Sequence, residues 1–131
     1  MTIKELSQLY HLRWEVEMDR QRLAALEERA LPGAQRLSGL PGSGNVQDKL
    51  ATYAVEIADL RAVIEQKLKR CLAEQQRLEA YIAGIEDSFL RQIFTCRFVE
   101  GMSWRQVADK VGGKNTADGV RKLSKRFLLK K

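Results

Sequence analysis

Seven of the chain's 23 lysines and arginines fall within its last 18 residues, and their type and spacing point more directly to a ligand than any others. Lys114, Arg121, Lys122, Lys125, Arg126, Lys130 and Lys131 stand there against a single acid, Asp118, whereas residues 1 to 113 carry 16 cations and 16 acids. The net charge of +6 is therefore a local patch and not a general property of the chain. A patch of this sign attracts a polyanion, because each phosphate that meets a cation releases condensed counterions. A solvated basic tail that only aids solubility is the plainer reading of the same charges. Spacing argues against it. Arg121, Lys122, Lys125 and Arg126 follow i, i+1, i+4, i+5, which on a helix gathers them on one side, with Val120, Leu123 and Phe127 on the other.

Catalytic chemistry finds no foothold. His11, the only histidine, lies among charged helix residues with no acid or thiol at ligand spacing. Cys71 and Cys96 show no CxxC spacing and are expected as small buried thiols. The sequence contains no glycine-rich phosphate loop, no nucleophile elbow and no paired-carboxylate cleft; Glu27 and Glu28 are neighbours on a helix surface. No enzyme, cofactor or metal is expected. No leader pattern is visible and no apolar run approaches the roughly 20 residues that span a bilayer, so a cytoplasmic protein without a membrane partner is expected.

The cations need a scaffold, and the segment before them supplies its punctuation. Asp87 can cap a helix through Phe89, Leu90, Ile93, Phe94 and Phe98, whose spacing makes one apolar face, with Gly101 as its left-handed terminator. Ser103, Trp104, Arg105 and Gln106 spell a capping box, so a new helix begins at Trp104 and buries Val107, Ala108 and Val111. Trp104 is expected in the core against Phe98 and Phe94, and Ser103 as a cap in preference to a phosphorylation site. Gly112 and Gly113 stop that helix, and Asn115 or Thr116 caps the next. Two short helices joined by a glycine turn form a helix-turn-helix. Such a motif reads duplex DNA by placing the start of its second helix in the major groove. Asn115, Thr116, Asp118, Arg121 and Lys122 are then placed to touch bases, and Lys114, Lys125, Arg126, Lys130 and Lys131 to touch phosphates.

The rest of the chain reads as two long helices. From Thr2 to Leu31, Leu9, Val16, Leu23 and Ala30 recur every seven residues, with Leu12 and Leu26 in the complementary slot and Asp19 between them. Asp19 in that seam predicts a basic partner or a water. Both prolines, Pro32 and Pro41, lie with four glycines in the stretch 32–45, which predicts a loop with Gly44 or Asn45 as the following cap. From Val46 to Ile85 the heptad returns at Leu50, Ile57, Ile64, Cys71, Leu78 and Ile85, interrupted in the alternate slot by Lys67 and Glu74. The expected fold class is all-α: an antiparallel helical hairpin over residues 1–84, then a helix-turn-helix unit over 85–131. Tyr10 and Trp14 are expected at the hairpin edge. Its apolar edges suggest a homodimer.

The segment "DSFLRQIFTCRFVEGMSWRQVADKVGG" followed by "TADGVRKLSKRF" resembles the region 4 helix-turn-helix of sigma-70 family factors, which binds promoter DNA. Together with the two long helices and the "RLSGLPGSGNVQDKL" loop, nearly the whole chain is similar to small phage and prophage transcriptional regulators of the RinA and ArpU type. The resemblance implies control of phage late or packaging genes. In one respect the chain departs from the pattern: counted from Ala108 and Gly112, the buried aliphatic falls two residues late, at Val120, which lengthens the turn Gly113 to Asn115 and leaves the base-contacting positions open. Two alternatives remain: a terminase-like DNA-packaging subunit, and a helical adaptor that docks on RNA polymerase.

Overall fold

A computed structural model describes residues 1–31 and 45–130. The expected loop, apart from residue 45, lies outside the described residues, as do the cap proposed for Gly44 and the phosphate contact proposed for Lys131. Every regular element among the described residues is helical. In chain order these are α1 (Ile3–Leu6), α2 (Gln8–Arg29), α3 (Asn45–Ala83), α4 (Ser88–Phe94), α5 (Trp104–Val111) and α6 (Ala117–Leu129), with a π-helical turn at Thr95–Val99 continuing α4.

The helix expected from Thr2 is present as one turn plus α2. The Thr2 hydroxyl accepts from the Glu5 N–H and so starts α1. Around Ser7 the ladder nearly continues, since the Ser7 N–H donates to the Ile3 carbonyl at 2.9 Å and the His11 N–H to the Ser7 carbonyl at 3.3 Å. Asn45 opens α3, and Asp48 lies in its first turn, where the helix dipole favours an acid.

The residues divide into two compact units, Trp14–Lys69 and Met1–Arg13 with Arg70–Lys131. In the first, the apolar seam is narrow. Val16, Leu60 and Ile64 are buried, Leu23, Leu26, Tyr53 and Ile57 are half-buried, and Val55 and Val63 are exposed. Asp19 lies within this seam at 6% exposure, and its carboxylate accepts from the Lys67 ammonium at 2.6 Å, with Glu15 3.5 Å from the same nitrogen. Two residues that interrupt their heptads thus satisfy each other. Arg61 on α3 meets Glu27 on α2 at 2.9 Å, so positions rising along one helix meet positions falling along the other. The hydrogen bond it donates to Asp19, ahead of the nearby charges, holds the Lys67 ammonium above the ordinary lysine range.

The second unit has a broader core: Leu6, Leu9, Leu78, Ile93, Phe94, Val107 and Val120 are each at most 1% exposed. Phe94 meets Phe98 and Phe127 edge to face, with centroids 5.3 and 5.6 Å away. The first 13 residues join this unit. The Arg13 guanidinium donates to the Val99 carbonyl, and also to the Gln75 side chain at 3.1 Å. The unit therefore holds residues on both sides of position 84.

Candidate nucleic-acid interface

Local capping sets the direction of each short helix that leads to the basic segment. The Asp87 carboxylate accepts from the Phe89 N–H at 2.8 Å, and the Arg91 guanidinium donates to the carbonyls of Ile85 at 2.6 Å and Glu86 at 2.9 Å. Those bonds tie the corner after α3, where backbone acceptors would otherwise lack partners. The expected helix through Phe98 is α-helical only to Phe94. It then widens into the π turn, and Gly101, at φ +74°, carries the chain out in a left-handed conformation.

At Ser103 both halves of the capping box form: its hydroxyl accepts from the Gln106 N–H at 3.2 Å, and the Gln106 side chain accepts from the Ser103 N–H at 2.9 Å. Val107 and Ala108 are buried on α5. Gly112 ends the helix at φ +74° and ψ −167°, a region essentially open only to glycine, and Gly113 follows at φ +70°. The Asn115 amide then donates to the Gly112 carbonyl at 2.7 Å, closing the turn. Of the two expected caps, Thr116 is the one used, its hydroxyl accepting from the Gly119 N–H at 3.0 Å.

α6 packs more extensively on α5 than on any other element. Its contact face holds Val120 at 1% exposure and Ser124 at 2%. Ser124 escaped the sequence reading because a polar residue breaks the apolar pattern. Its hydroxyl donates to the Val120 carbonyl one turn earlier, at 2.9 Å, so a small polar side chain is tolerated at the helix contact. Leu123, Phe127 and Leu128 are half-buried beside it.

The opposite face is open. Lys114, Asn115, Thr116, Asp118, Arg121, Lys122, Lys125, Arg126 and Lys130 are all exposed. Asp118 is engaged with its own helix, accepting from Arg121 at 2.6 Å and Lys122 at 2.9 Å. These hydrogen bonds, that from Lys122 first and that from Arg121 next, hold its carboxyl below the usual carboxylate range. The pairing orients two cations at the start of α6 and leaves Lys114, Lys125, Arg126 and Lys130 as a charge surplus around them. A surface of this kind can grip phosphate and present hydrogen-bonding groups to a groove.

Trp104 packs its edge on Phe98, with centroids 6.3 Å apart, as expected, yet it stays half-buried and carries the Arg97 guanidinium 4.7 Å from its ring centre. Arg97 carried no assigned role at the level of sequence, because the cation–ring contact depends on the path of the π turn. Tyr10 and Trp14 are 47% and 52% exposed, and the rings of Tyr10 and His11 meet edge to face. Cys71 and Cys96 are buried and unbridged, and burial pushes the Cys96 thiol up, which makes it a poor nucleophile. Among the described residues, no three His, Cys, Asp or Glu side chains converge as a metal site would require, and no helix is long and apolar enough to cross a membrane. Compared with family models, with curated proteins and with solved structures, the chain finds no match.

Proposed function

We propose that the chain is a sequence-specific transcriptional regulator that binds duplex DNA through a helix-turn-helix formed by α5 and α6. One observation carries this reading: α6 buries Val120 and Ser124 on one side while its cations all stand exposed on the other. A recognition helix must do both at once, since one face docks on its partner helix and the other enters a groove about 12 Å wide. In the proposed complex, Asn115, Thr116, Asp118, Arg121 and Lys122 approach base edges. Arginine can donate two hydrogen bonds to guanine, and an aspartate can accept from the cytosine amino group. Lys114, Lys125, Arg126 and Lys130 hold phosphates. The reversed order of contacts between α2 and α3 supports an antiparallel hairpin, which we assign to self-association or to contact with the transcription machinery. The phage-regulator resemblance adds a setting, the cytoplasm of a host bacterium.

Selection of bound sequences from random duplex DNA tests the proposal, with an enriched motif as the expected result. Arg121→Ala or Lys122→Ala then weakens binding to that motif by about 1 to 3 kcal/mol if a bidentate base contact is lost, while Lys130→Ala mainly makes the salt dependence shallower. Affinity that ignores both salt and these substitutions would instead favour an adaptor that docks on protein.

A further inference from the structure

Beside the basic face of α6 lies a cleft of about 170 Å³, lined by Arg97, Trp104, Arg121 and Lys125 together with Ser7, Ser124 and apolar neighbours. We propose that this cleft is a seat for one backbone phosphate of duplex DNA, with Arg97 as a phosphate ligand outside the recognition helix. The inference rests on the DNA-binding reading and extends it to a second element of the unit.

Three features of the cleft select the ligand. Three of its lining side chains are cations, contributed by the π turn and by α6, and none is a carboxylate. Asp118 engages Arg121 but does not line the cleft, and an arginine has five N–H donors to share. The volume falls well below the roughly 300 to 1,000 Å³ of small-molecule sites, so a single tetrahedral anion with its water fits where a metabolite does not. Arg97 lies over the indole, 4.7 Å from the ring centre, so the ring face it covers presents a cation to the cleft and not a surface for stacking a base. That arginine is also fixed in place. Its guanidinium donates to the Met102 carbonyl at 2.9 Å, so little side-chain freedom is lost when an anion arrives.

The same chemistry would serve a free phosphate or a phosphate of the DNA backbone. Continuity favours the backbone. Arg121 and Lys125 line the cleft and also stand exposed on the basic face of α6, so a duplex laid on that face carries its phosphates to the opening.

The test measures affinity for a selected duplex between 50 and 200 mM salt, for the wild-type chain and for Arg97→Gln and Lys125→Gln. Each variant is expected to keep the preferred motif while binding more weakly. Each should lose about one unit of salt slope, so that affinity falls about 3- to 4-fold less across this range than in the wild type. Arg97→Lys should recover the slope. If Arg97→Gln lowers the melting temperature, Ser7→Glu carries the test: it sets a carboxylate at the cleft without removing any contact proposed above, and should weaken binding while keeping the motif. Motif-specific binding with the wild-type slope in Arg97→Gln would overturn the seat and leave the DNA-binding reading intact, whereas a wild-type chain that binds no duplex overturns both. Inorganic phosphate decides the source: competition no stronger than chloride at equal ionic strength supports the backbone, and competition below millimolar concentration overturns it.

Discussion

The two compact units are built on different terms. In Trp14–Lys69 the apolar seam is narrow, most of its aliphatic positions stay in contact with water, and a charged pair, Asp19 with Lys67, sits inside it. In the other unit, aromatic rings meet edge to face around a fully buried Phe94, and the helix starts at Ser88, Trp104 and Ala117 are each capped by a side chain. Each unit finds its specificity in a different place. Two heptad helices can slide by a turn at little cost in apolar contact, so a polar pair that matches in one register has a role that leucines cannot fill. A globular core needs no such lock, because its jigsaw of unlike side chains already admits one arrangement.

Core truncation should separate the units most. Phe94→Ala is expected to cost about 3 to 5 kcal/mol and Leu60→Ala about 2 kcal/mol, since the seam beside Leu60 can collapse and already meets water. Urea denaturation measures both, and equal costs would erase the contrast. Next comes the turn that holds α5 to α6. Gly112→Ala is expected to cost about 1 to 3 kcal/mol, because no L side chain is at ease at φ +74° with ψ −167°. A smaller loss would mean that the turn yields and does not fix the helices.

The charged pair gives subtler effects. Asp19→Ala should cost about 1 to 2 kcal/mol, less than for a fully enclosed pair, because Lys67 is half-buried and can reach water. Replacing both residues by leucine should be close to neutral in stability while loosening register, which disulfide trapping between α2 and α3 would detect. A double variant that kept one register would deny the pair its role as a lock. The smallest effect is on pH dependence. With its folded value raised, Lys67 contributes stability that is complete below the ordinary lysine range and lost as pH rises through the raised value. Thermal melts from neutral to strongly alkaline pH should show that loss, and Asp19→Ala should shrink it, with Glu15 still beside the ammonium.

Much of this molecule was legible because its signals are local. The capping roles of Asp87, Ser103 with Gln106, and Thr116, and the left-handed glycines 101 and 112, each depend on backbone groups within a few residues. Period alone picked out Val107, Ala108 and Val120, which are buried, whereas Val111, expected with them, at the end of α5, stays half-buried. Asp19 announced that it needed a basic partner, though nothing along the chain named Lys67, 48 residues away. Ser124 and Arg97 were missed for a related reason. A buried serine and an arginine over an indole contradict or ignore hydrophobic period, and both depend on how neighbouring elements meet.

An all-helical chain, the capped starts at Ser88, Trp104 and Ala117, and the charged side of the last helix could be read along the chain, since propensity, capping and period act within one or two turns; the break at Ser7 and the π turn after Phe94 could not. Only the tertiary structure decided that residues 1–13 share a unit with the basic segment, that Lys67 answers Asp19, and that Arg97 and Lys125 line one cleft. Those outcomes depend on packing between residues far apart in the chain, whose partners no local rule selects.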